Sequence, residues 1–68
     1  MRFGTLLSIL NEDTKIKVDF PKMLHWVNTT PKKLVAQKKE YLVKYYHNKV
    51  IYMYVCDGVL TIVVGGEQ

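Results

Sequence analysis

Along this chain the spacing of apolar positions changes several times. Phe3, Leu6, Leu7 and Leu10 recur at intervals of three and four, which is one face of a short amphipathic helix, and Asn11, Glu12 and Asp13 end it. From Thr14 to Phe20 the period falls to two, so the pattern predicts a strand whose inward side is Ile16, Val18 and Phe20. Pro21 and Lys22 signal a turn, and residues 23–29 are expected to return as a second strand, closing a β-hairpin. Thr30 followed by Pro31 has the form of an N-cap with proline at the first helical position, where its missing N–H costs nothing. In the helical region that follows, Leu34, Val35, Tyr41, Leu42, Tyr45 and Tyr46 share one side, and Lys32, Lys33, Lys39, Glu40 and Lys44 share the other. Lys38 falls inside the apolar arc, which favours a break near Gln37 and Lys38 over one continuous helix, and His47 and Asn48 mark the stop.

The strongest local signal comes last. Residues 50–55 and 59–64 are dense in β-branched and aromatic side chains around Asp57 and Gly58, the signature of a second hairpin with a two-residue type I′ turn. That turn fixes the register, setting Cys56 opposite Val59, Val55 opposite Leu60, Tyr54 opposite Thr61 and Met53 opposite Ile62. One face then holds Ile51, Met53, Val55, Leu60, Ile62 and Val64, and the other Val50, Tyr52, Tyr54, Cys56, Val59, Thr61 and Val63. Neither face is polar, so each needs a cover. Either the N-terminal helix and the 31–47 region pack on opposite sides, or Tyr52, Tyr54, Val59 and Val63, or an edge strand, meet a second copy in a homodimer. The predicted fold is a single α+β domain over residues 1–68: helix, hairpin, helical region, hairpin, with four mostly antiparallel strands and a frayed tail at 65–68.

Composition narrows this picture. At 68 residues only one core forms, and so short a chain usually needs a staple or a partner. Cys56 is the lone cysteine, which excludes an intrachain disulfide and suits a reducing, cytoplasmic setting. Cys56, His25 and His47 lack the paired spacing of a zinc site, and no cofactor motif is present. A hydrophobic fraction of 49% suits a folded chain. The N-terminal apolar run is short and lacks a small-residue cleavage site, so it is expected to be mature chain, and no segment is long enough to span a bilayer.

The candidate chemistry is that of binding. Lys32, Lys33, Lys38, Lys39 and Lys44, with a net charge of +4, form a candidate surface for nucleic acid or an acidic partner, against the plainer reading of a solvated helix face. Tyr41, Tyr45 and Tyr46 are expected on the buried arc, where they cannot stack on bases. Trp26, with Tyr52, Tyr54, Val59 and Val63, is the candidate protein interface, tryptophan being enriched at binding hot spots. Cys56 sits in an apolar strand next to an acidic residue, a poor setting for a thiolate, and the carboxylates do not pair, so catalysis is not expected.

The opening run from Leu6 to Val18 and the closing run from Lys49 to Val64 resemble a loose group of short uncharacterised proteins carried by phages and mobile elements of Gram-positive bacteria. The likeness covers both ends and omits the lysine-rich middle. It implies a non-enzymatic protein that binds and inhibits or modulates a host protein, such as a defence nuclease, in the host cytoplasm. A basic DNA- or RNA-binding module built on residues 32–44 is the alternative.

Overall fold

The structure, a computed structural model, describes residues 1–22 and 26–66. Its elements run α1 (Phe3–Ile9), β1 (Ile16–Asp19), β2 (Val27–Thr29), α2 (Pro31–Gln37), α3 (Lys39–Tyr45), β3 (Val50–Cys56) and β4 (Val59–Val64), an α+β order. Residues 23–25, where the expected second strand begins, lie outside the described residues, and so does His25. Each helix has a local cause. Thr30 caps α2 by accepting a hydrogen bond from the Lys33 N–H at 3.2 Å, with Pro31 leading the first turn. The expected break falls at Lys38, whose φ of −127° and ψ of 37° separate α2 from α3. This keeps the lysine exposed while the apolar sides of both helices still face the core.

The four strands form one sheet in the order β2-β1-β4-β3. Both hairpins are present: β1 pairs antiparallel with β2, and β3 with β4. They join through a parallel β1–β4 ladder that the local pattern does not announce, with Ile16 beside Leu60 and Val18 beside Ile62. Asp57 and Gly58 both take positive φ, 54° and 75°, as a type I′ turn requires. The register follows the turn from Cys56–Val59 through Tyr52–Val63 and then shifts, Val50 pairing with Val64, so that Ile51 is the extra residue of a bulge. Ile51 therefore leaves the face assigned to it by simple alternation and is exposed.

The core lies on one side of the sheet. Phe3, Leu6 and Leu7 of α1, Leu34 of α2 and Tyr45 of α3 form a single buried cluster with Ile16, Val18, Phe20, Ile62 and Val64. Phe20 is its hub, edge-on to Phe3 with centroids 5.3 Å apart and stacked on Tyr45 at 5.2 Å. The expectation that helices would cover both faces is thus corrected: two helical segments separated by a hairpin share one layer, because each has only one apolar stripe and the strands offer one matching side. Tyr46 and Val35, placed on the buried arc by the wheel, are exposed, whereas Leu34 and Tyr45 of the same arc are buried in the core. Gly65 does not behave as tail: its N–H donates to the Lys49 carbonyl at 2.8 Å and its carbonyl accepts from Asn48 Nδ2 at 2.7 Å.

Candidate functional site

The side of the sheet away from the core is a candidate interaction surface. Strand alternation sends Lys17 and Asp19 of β1 to this outer face, and the registers extend each into a row across the sheet. Asn28, Lys17, Thr61 and Tyr54 form one row, while Asp19, Val63 and Tyr52 form the next, with Trp26 just before β2 at its far end. The Lys17 ammonium lies 5.2 Å from the Trp26 ring centroid, a cation–π contact that holds the indole along the face. At the opposite margin the Tyr52 and Tyr54 rings meet at 5.4 Å with an interplanar angle of 62°. Thr61, between Lys17 and Tyr54 in its row, is buried although no helix overlies it.

The residues expected at a protein interface fall into two groups. Tyr52, Tyr54, Val59 and Val63 come together on the β3–β4 half, whereas Trp26 stands on the other margin, about 14 Å away at ~4.8 Å per strand spacing. Lys17 and Asp19 complete the face and were not singled out in the sequence. Alternation in 14–20 gives the side on which Lys17 and Asp19 lie, but only the β1–β4 register shows what lies beside them.

The lysine candidates belong to the other layer. Lys32, Lys33, Lys38, Lys39 and Lys44 are all exposed on α2, α3 and the break between them. Lys38 and Lys44 lie against Tyr41 and Tyr45 at 5.8 Å and 5.4 Å from the ring centroids, so their stems cover aromatic edges of the core. Those tyrosines stack on Phe20, and Tyr45 donates its hydroxyl to the Pro21 carbonyl at 3.2 Å. They are engaged in packing.

Cys56 is an exposed free thiol beside the turn, its Sγ 3.9 Å from Asp57 Oδ2. His47 offers its carbonyl to Arg2 Nη1 at 2.7 Å, tying the chain start to the end of α3. Among the described residues no helix is long and apolar enough to cross a membrane. No protein-family model, curated protein or solved structure matches the chain.

Proposed function

We propose that this domain is a non-enzymatic interaction module that captures a protein on the outer face of its sheet. The observation that carries this reading is the separation of the two candidate surfaces. Exposed tyrosines and half-buried valines gather on the sheet face that no helix covers, and the lysines stand on the helical layer behind it. A surface for single-stranded nucleic acid combines stacking rings with a basic groove on one side. A protein interface is anchored by aromatic side chains with a few charges among them, and this face offers Tyr52 and Tyr54 on β3, Trp26 at the opposite margin, and Lys17 and Asp19 on β1 between them. The resemblance to proteins of phages and mobile elements supplies a setting, in which the partner is a host protein, such as a defence nuclease, that the bound domain inhibits or modulates in the cytoplasm.

The test is capture from nuclease-treated host lysate with the full chain and three variants, each checked for folding by circular dichroism. A stoichiometric protein complex is expected, lost with Trp26→Ala and with Tyr54→Ala and retained when Lys39 and Lys44 are both changed to Glu. Nucleic-acid binding that the lysine reversals abolish and the aromatic variants spare would replace this reading. Such binding would weaken with salt at a log–log slope of about −0.9 for each duplex phosphate neutralised.

A further inference from the structure

The two edges of the sheet are unequally protected. β2 offers only three residues, a short edge of the kind that resists adding another strand. β3 offers seven, Val-Ile-Tyr-Met-Tyr-Val-Cys, with neither a charge nor a proline to discourage one. Its first residues are covered by the chain's own start: the Met1 carbonyl accepts from the Val50 N–H at 2.8 Å, and Arg2 bridges Lys49. From Ile51 to Cys56 the strand has no second neighbour among the described residues. Because the turn closes on Cys56 and Val59, ladder alternation directs the peptide groups of Tyr52, Tyr54 and Cys56 toward β4 and those of Met53 and Val55 toward the open side. The side chains from Ile51 to Val55 are 43% to 69% exposed.

We propose that a second copy of this chain occupies this edge, the two β3 strands pairing antiparallel about a two-fold axis at Met53 and joining two four-stranded sheets into one of eight. The strand is self-complementary in that arrangement. Met53 faces Met53 of the second copy, their outward peptide groups exchanging two N–H···O bonds. Tyr52 faces Tyr54 twice on the outer side, a cross-strand aromatic pair. Val55 comes opposite Ile51 of the second copy, where the bulge ends the regular ladder. The pairing ends at these residues, because Met1 and Arg2 already occupy the open side of Val50 and Lys49. With aromatic side chains burying ~150–250 Å² when fully covered, the exposed parts of Tyr52 and Tyr54 offer at most roughly 200 Å² per copy, to which Ile51, Met53 and Val55 add. The contact is smaller than the ~800 Å² per partner of a standard specific interface and belongs with weak, concentration-dependent pairings.

Sedimentation equilibrium and amide exchange on the full chain test the pairing. At tens of micromolar the measured mass should be about twice the 7.9 kDa of one chain, and the Met53 and Val55 amides should exchange more slowly as concentration rises. Met53→Pro removes an N–H that β4 does not use, so the hairpin persists while the edge is blocked, and a monomer is expected. Val55→Lys leaves every backbone group in place and should weaken the dimer at least tenfold, which keeps the test decisive if the proline variant does not fold. A chain that remains monomeric into the hundreds of micromolar overturns the proposal, as does a dimer that Val55→Lys leaves intact. Trp26→Ala should preserve the dimer while removing capture on the outer face, so this proposal and the functional one fail separately.

Discussion

Gly4 and Tyr46 show how closely the chain start packs on the end of α3. A Cβ built on Gly4 would clash with the Tyr46 ring, and the Gly4 N–H donates to the Tyr46 carbonyl at 2.9 Å, which holds the two backbones together. Gly4→Ala is therefore expected to cost about 1–3 kcal/mol by overpacking, despite alanine's better helix propensity. Because the ring is partly exposed, truncating it should provide the missing space. A double-mutant cycle with Tyr46→Ala, followed by urea denaturation, should show most of the penalty gone, and strict additivity would exclude the clash as its cause. Asn48 is the second residue of this kind. Its amide donates to the Gly65 carbonyl at 2.7 Å, its carbonyl accepts from Phe3 N–H at 2.8 Å, and its N–H donates to the Tyr45 carbonyl at 3.1 Å. The backbone of this residue thus ties α1 to α3, and its buried side chain holds the end of β4. Asn48→Ala should lower stability by ~1–3 kcal/mol, because it leaves the buried Gly65 carbonyl without its donor. A loss within experimental error in denaturant titration would show that water takes over the bond.

At the scale of elements, local chemistry explains what the sequence reveals. The Thr30–Pro31 cap, the misplaced Lys38 and the Asp57–Gly58 turn each act over a few residues, and each is found where its residues predict. Thr30→Ala should accordingly cost ~1 kcal/mol, read as a lower denaturation midpoint at unchanged slope. An unchanged midpoint would mean that the packing of Pro31 and Leu34 holds α2 without its cap. The parallel β1–β4 ladder was not readable in this way, since residues some forty positions apart meet there and no turn links them. Without that ladder the rows on the outer face were invisible too, which is why Tyr52, Tyr54, Val59 and Val63 could be identified from the hairpin alone while Lys17 and Asp19 could not. The bulge at Ile51 has its physical reason in Gly65. A side chain at Gly65 would crowd Ile51 Cγ2 and the Lys49 carbonyl, so the tight approach of the chain end to the start of β3 leaves room for the extra residue only because a glycine stands there.

The whole molecule combines a compact fold with an uncovered edge. Its radius of gyration, 10.6 Å, agrees with the ~11 Å expected for a compact domain of this length. A domain of this size has a net stability of only about 3–10 kcal/mol, however, so burial at the β3 edge would be a large fraction of the total. If two copies pair there, folding and association are linked by mass action, and the thermal midpoint must rise with protein concentration. A tenfold increase in concentration stabilises a dimer by about 1.4 kcal/mol, shared between two chains. At ~4–8 °C per kcal/mol for a small domain, this amounts to a few degrees. The wild-type chain is therefore expected to melt a few degrees higher at 200 than at about 20 micromolar, and Val55→Lys should melt at one temperature at both concentrations. A wild-type midpoint independent of concentration would leave the single α+β domain intact and remove the second copy from its edge.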